Sequence, residues 1–189
     1  MNIAVFASGS GSNFDVIARQ AQEGILDVKV KLLVCDKEHA PVQQKAQALG
    51  VPVFRFVPSN YEHKEDFEKD ILHVLHEADV ELLVLAGYMR LIGPTLLQAY
   101  EGKILNIHPS LLPAFPGKDA IEQALQANVK VTGVTIHLVD EGMDTGPIIE
   151  QEALRIEEGE DASAVQKKIQ QMEHRLYPQV IQQIVKGEI

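Results

Sequence analysis

Apolar and polar positions alternate along this chain in two distinct rhythms. Short continuous apolar runs at 2–7, 28–35, 51–57, 81–86 and 103–107 are bounded by polar or glycine-containing stretches. Runs of that length, rich in Val, Ile, Leu and Phe, predict strands buried on both faces. Between them the apolar residues recur at helical spacing. A helix is expected from about Asn13 to Gly24, and another over 41–49 closed by Gly50. A third runs to about Ala78 on Phe67, Ile71, Val74 and Leu75, with Ser59 placed to cap it, and a short one starts near Pro94.

Strands alternating with helices in this way predict a parallel sheet covered on both faces. The rhythm changes after Pro116. A helix over 119–127 leads into strand-like runs at 131–139 and 147–156, too close together to hold a crossover helix. They are expected to extend the sheet in antiparallel fashion, closed by a final helix over about 162–185. The expected fold is α/β, a mostly parallel, Rossmann-like doubly wound sheet with an antiparallel C-terminal extension. Residues 1–189 are expected to form a single domain, with no repeat and no linker.

Composition narrows the function classes. The 189 residues are 46% apolar and 23% charged, the balance of a globular domain able to bury a core without a staple. Acidic residues outnumber basic ones 27 to 17, for a net charge of −10, and no basic run occurs. Nonspecific nucleic-acid affinity comes mostly from Lys and Arg on phosphates, so a nucleic-acid partner is not expected. Small anions remain open, because backbone N–H groups can hold them. The stretch 150–161, with six carboxylates and one Arg, reads as a solvated edge. The single cysteine, Cys35, excludes an intrachain disulfide and reads as a buried spectator thiol. The N-terminus lacks the basic region of a signal peptide, and no apolar stretch approaches the ~20 residues of a membrane span. A cytoplasmic protein without a membrane partner is expected.

Four segments carry candidate chemistry. Gly9-Ser-Gly11-Ser12-Asn13 joins the first strand to the first helix, where glycines let a phosphate approach N–H groups at a helix start. Phe14 breaks the dinucleotide fingerprint, and no Gly-Lys-Ser/Thr follows, so the loop is either a mononucleotide-type phosphate site or a tight turn capped by Ser12 or Asn13. A side chain at Gly11 is expected to crowd the ligand. In the second segment, Asn106 and His108 share one face of a strand at its C-terminal end, where open α/β sheets bind ligands. Asn is a neutral oxyanion donor and His moves protons near neutral pH. His137 shares a face with Thr135 and borders this site; the remaining five histidines read as structural. The third segment, 134–147, offers Asp140, Glu141 or Asp144 to orient His108, and spacing alone does not choose among them. It lacks a second His or Cys at ligand spacing, so no metal is expected. In the fourth, Ala86-Gly-Tyr-Met-Arg90-Leu-Ile-Gly93, Arg90 is a cation among apolar residues. Such a cation suits one flat aromatic anion, or is simply a solvated loop residue.

Together these segments resemble the formyltetrahydrofolate-dependent formyltransferases along essentially the whole chain. The likeness rests on Ser8-Gly-Ser-Gly-Ser-Asn13, Ala86-Gly-Tyr-Met-Arg90, Asn106-Ile-His-Pro-Ser-Leu-Leu-Pro113, Gly133-Val-Thr-Ile-His-Leu-Val-Asp140 and Asp144-Thr-Gly-Pro147. Gly11-Ser-Asn13 and Glu173-His-Arg-Leu-Tyr-Pro178 narrow the implied acceptor to glycinamide ribonucleotide. The resemblance implies formyl transfer from 10-formyltetrahydrofolate, as co-substrate, to that acceptor's amine, a step of purine biosynthesis that needs no metal. It implies Asn106, His108 and Asp144 as the catalytic set. Gly11, Ser12, Asn13, Gln170 and Glu173 are implied to bind the ribonucleotide. Met89, Arg90, Leu91 and Ile92, with Val139, Asp140, Glu141, Gly142 and Met143, are implied to line the folate site beside Asn106. Lys64 stands where the family usually has an Arg, keeping the charge without the bidentate fork. A monomer or homodimer is expected. Related hydrolases and tRNA formyltransferases carry further domains not expected here, and a non-catalytic nucleotide-binding module is the rival from another class.

Overall fold

A computed structural model describes residues 1–189. Five parallel strands, β1 (Asn2–Phe6), β2 (Lys29–Cys35), β3 (Val53–Arg55), β4 (Leu82–Leu85) and β5 (Ile104–His108), are followed by antiparallel β6 (Val131–Leu138) and β7 (Ile148–Arg155). They form one sheet in the order β3-β2-β1-β4-β5-β6-β7. The helices are α1 (Ser12–Gln22), α2 (Val42–Ala48), α3 (Lys64–Glu77), α4 (Pro94–Ala99), α5 (Ala120–Gln126) and α6 (Ala162–Lys186). None is long and apolar enough to cross a membrane.

The chain winds outward from β1 to β3, then returns to lay β4 against the other side of β1. Strand order therefore reverses between β1 and β4, and the loops that leave their C-terminal ends open a crevice suited to a ligand. The central strands are apolar on both faces because both are covered. Ile3 and Val5 of β1 pack with α1 and α6 on one side, whereas Ala4 and Phe6 pack with α3 and α4 on the other. Each large side chain fully buried in this way stabilises the fold by roughly 1.5–3 kcal/mol.

Two expectations change. Ser59 does not cap α3. It lies in a separate 3-10 turn, Pro58–Asn60, and α3 starts at Lys64, where Asp66 accepts the His63 N–H at 3.2 Å. The break has a packing cause: Tyr61 is extended and stacks edge-on against Phe56 and Phe67, which a continuous helix would prevent. The third strand shrinks to three residues, because an edge strand is paired on one side only.

Helix α6 ties the layers to the site end of the sheet. Pro178 lies inside it, and the preceding Tyr177 is fully buried. The Tyr177 hydroxyl contacts the carbonyls of Leu85 at 2.9 Å and Leu105 at 3.2 Å, so one side chain bridges the neighbouring strands β4 and β5.

Candidate active site

The glycine loop sits at the end of β1, and Gly11, at φ 67°, turns the chain into α1. Glycine is required there by neighbouring protein. A Cβ on Gly11 would stand 2.2 Å from Val42 Cγ2 at the start of α2, which corrects the expectation that a side chain at this position meets the ligand first. At Gly9, by contrast, a Cβ meets nothing within 4 Å. No side chain caps α1, so neither Ser12 nor Asn13 plays the capping role. The first N–H groups of α1 are left for solvent or an anion. The Asn13 side chain instead turns inward, donating from Nδ2 to Glu173 Oε2 at 3.0 Å, while its Oδ1 is buried without a partner. Burial pushes the Glu173 carboxyl up, and the Asn13 bond opposes that in part. Gln170 lies half-buried one turn earlier on α6.

A second cluster forms where β5 pairs with β6. The antiparallel register sets Asn106 opposite His137 and His108 opposite Thr135. Asp144, in the left-handed region at φ 56°, brings its carboxylate to both histidines. Its Oδ2 lies 3.4 Å from His108 Nδ1 and accepts the Gly117 N–H at 2.7 Å. Its Oδ1 lies 3.6 Å from His137 Nε2 and 3.4 Å from Asn106 Nδ2. Burial would raise the Asp144 carboxyl, but the Gly117 N–H and the nearby His108 hold it below the ordinary range. Of the three acidic residues left open by spacing, Asp144 therefore meets His108. Asp140 accepts from Gly142 N and Thr145 Oγ1 at 3.0 and 2.7 Å and shapes its own loop, whereas Glu141 is exposed.

The other ring nitrogen of His108, Nε2, donates to the Phe115 carbonyl at 2.8 Å. Both nitrogens thus face acceptors. Behind the ring, Thr135 Oγ1 donates to Ser110 O at 2.7 Å and accepts from Leu112 N and Gln151 Nε2 at 3.0 and 2.9 Å. Gln151 and Gly117 escaped the sequence reading, since no local signal relates β7 or residue 117 to the end of β5. His137 was legible only as a neighbour of the site, from its shared face with Thr135.

The folate-loop candidates occupy residues 87–93. Met89 and Leu91 are exposed, but the Ile92 side chain belongs to the core between the sheet and α3. Ile92 therefore anchors the loop through its side chain, and Val139 packs against the same core. Arg90 is not a free cation. Its Nε donates to buried Asp36 at 2.8 Å, and its Cζ lies 6.0 Å from the Phe67 ring centroid, so Arg90 is neither an unpaired cation nor simply a solvated loop residue. Lys64 Nζ stands 3.9 Å from Glu68 Oε1. Lys64, Met89, Arg90 and Leu91 share a cavity of about 390 Å³ with Tyr61 and Phe67. A larger groove, about 710 Å³, runs between α1 and α6 and touches none of the candidate residues. Gly142 lies half-buried in the loop after β6, and Met143 is exposed with its sulfur 2.9 Å from where a Cβ on Gly117 would stand. No group of three or more His, Cys, Asp or Glu side chains is placed to hold a metal ion.

Known proteins are similar to this chain along most of its length. The chain is 56% identical over 182 residues to the phosphoribosylglycinamide formyltransferase of Bacillus subtilis (strain 168), covering 96% of this chain and 93% of that protein. The crystal structure of phosphoribosylglycinamide formyltransferase from Bacillus halodurans superposes with a TM-score of 0.96 at 52% identity, covering 100% of this chain and 97% of the other. Glycinamide ribonucleotide transformylase 1 from Geobacillus kaustophilus gives 0.94 at 56% identity, covering 97% of each chain. The formyl transferase family model matches residues 1–181. With the cluster of Asn106, His108 and Asp144 inside the matched residues, the chain belongs to the formyl transferase family.

Proposed function

We propose that this chain transfers the formyl group of 10-formyltetrahydrofolate to the amine of glycinamide ribonucleotide, a step of cytoplasmic purine biosynthesis. The observation that carries the reading is the Asn106–His108–Asp144 cluster at the crevice end of β5. It stands in a chain 56% identical to an enzyme named for this reaction.

The ribonucleotide phosphate lies at the uncapped start of α1, held mostly by N–H groups of Gly11, Ser12 and Asn13. Glu173 reaches the same end from α6 through Asn13, with Gln170 one turn earlier on that helix, and the carboxyl of Glu173 is a suitable partner for the ribose or the amine. The folate lies against the 89–92 and 139–143 loops beside Lys64. The acceptor amine attacks the formyl carbon, whose carbonyl oxygen becomes an oxyanion. One Asn106 amide hydrogen is engaged by His137 at 3.1 Å. The other has only the long 3.4 Å contact to Asp144 and is available to the oxyanion. His108 stabilises the same charge. The bond from carbon to N10 then breaks, N10 gains a proton by way of His108, and the amine loses one. Delivery requires that a His108 hydrogen leave the Phe115 carbonyl or Asp144, and Asp144 keeps the ring oriented meanwhile. No covalent enzyme intermediate is formed.

Incubation with 10-formyltetrahydrofolate, with and without glycinamide ribonucleotide, tests this. Tetrahydrofolate formed only with the ribonucleotide, alongside formylated product, is the expected result. Equal release on water alone makes the chain a hydrolase, and no release makes it a binding module.

A further inference from the structure

Three acceptors on three elements hold the loop between β4 and α4. Ser8 Oγ accepts the Met89 N–H at 3.0 Å, Glu68 Oε1 accepts the Gly93 N–H at 2.6 Å, and Asp36 Oδ2 accepts the Arg90 Nε–H at 2.8 Å. The first two grip backbone. The third grips the one side chain of residues 89–92 that could itself bind an anion.

We propose that Asp36 is a positioning residue for folate recognition: it holds the Arg90 guanidinium back along Phe67, so that the 89–92 loop meets the folate with its backbone and apolar side chains rather than with a free cation. The two partners differ in freedom. Asp36 follows the end of β2 with a side chain 1% exposed, whereas that of Arg90 is 36% exposed and could reorient into solvent. A buried carboxylate without a cation is costly, so the pair is held from the Asp36 side. The second oxygen, Asp36 Oδ1, is buried with no partner of its own, which makes the single bond to Arg90 the anchor of that charge. Arg90 is fixed at its Nε rather than through a two-pronged fork, and Lys has no group at that position.

The inference rests on the folate reading of the 89–92 loop. The test is calorimetric titration with 10-formyltetrahydrofolate alone, beside steady-state kinetics, on the parent, Asp36→Asn, Arg90→Gln, Arg90→Lys and the Asp36→Asn/Arg90→Gln double variant. The pair is expected to act as one unit. Each single substitution should weaken folate binding about tenfold, and the double variant should lose no more than either single. The KM for glycinamide ribonucleotide should move far less than the folate Kd. Arg90→Lys should lose as much as Arg90→Gln, and it decides the matter where Asp36→Asn does not fold.

The proposal is overturned if Asp36→Asn binds folate as tightly as the parent while Arg90→Gln does not, or if Arg90→Lys retains parent affinity. Either result makes the positive charge at position 90 a direct ligand. Equal losses for both substrates together with a fall in Tm also overturn it, by reducing the pair to a structural one. A parent that binds folate without transferring formyl refutes the proposed function and leaves the variant comparison decisive for Asp36. A parent that binds no folate refutes both.

Discussion

Asn106 Nδ2 donates to His137 Nε2 at 3.1 Å, and the opposite ring nitrogen, His137 Nδ1, donates to the Leu138 carbonyl at 2.8 Å. The two bonds agree on one tautomer, with the ring hydrogen on Nδ1, and together they fix which end of the Asn106 amide faces the crevice. His137→Ala removes the acceptor and frees the amide to rotate. A fall in kcat of about tenfold with small changes in both KM values is expected, since misorientation costs rate more than binding. Steady-state kinetics checks it, and a parent-like kcat would show that the amide keeps its orientation unaided.

The role proposed for Asn106 is on the transition state. Loss of one oxyanion donor typically lowers kcat on the order of 10²–10³-fold. Asn106→Ala should show that loss with KM values near those of the parent. Lost folate affinity at unchanged kcat would instead make Asn106 a pocket residue.

The Asp144 carboxyl is held below its ordinary value despite burial. A depressed folded value adds stability above the unfolded pKa, about 3.9, and that stability is lost as pH falls through the folded value. Asp144→Asn should therefore be less stable than the parent at neutral pH, with the gap closing at lower pH, and should lose kcat at neutral pH. Asp140→Asn, in the same loop but turned to Thr145, should leave kcat closer to the parent. Urea midpoints and kcat across pH for the three proteins decide between the two carboxylates.

Glu173 gives the opposite sign. Its carboxyl is pushed up by burial, so the folded protein holds that proton more tightly than the unfolded chain. The associated stability is complete below about pH 4.3 and is lost as pH rises through the folded value. Glu173→Gln keeps an oxygen for Asn13 but cannot titrate. Relative to this variant the parent should gain stability as pH falls from 7 to 4, and equal pH dependence in urea midpoints would remove the effect.

The two loop glycines separate folding from binding. Gly11→Ala forces a Cβ into Val42 at a left-handed φ and should destabilise the fold by about 1–3 kcal/mol. Gly9→Ala meets no protein atom, so its Tm should match the parent's while the KM for glycinamide ribonucleotide rises. An unchanged KM in Gly9→Ala would move phosphate recognition away from this part of the loop.

Local pattern carried much of this molecule. The parallel half was legible because strands buried on both faces read as apolar runs, and the antiparallel turn of β6 and β7 because 131–139 and 147–156 lie too close for a crossover. Period-two spacing paired Asn106 with His108. The start of α3 was not legible, since the aromatic packing of Tyr61 that interrupts it is tertiary. The choice of Asp144 over Asp140 was hidden for a related reason: it depends on a left-handed residue and on Gly117, 27 positions away. Arg90 looked available because its partner, Asp36, lies 54 positions earlier, just past the end of β2.

The reach of Tyr177 across Leu85 and Leu105 bears on how the protein is made. The clamp over β4 and β5, and Glu173 one turn before it, both belong to the last helix of the described chain. A nascent polypeptide on the ribosome, with β1 to β7 already emerged, still lacks the lock on its central strands and one wall of the proposed nucleotide site. Ligand binding is thereby deferred until synthesis has passed Tyr177, and a chain truncated upstream of that residue leaves the α6 face of the sheet bare to proteases.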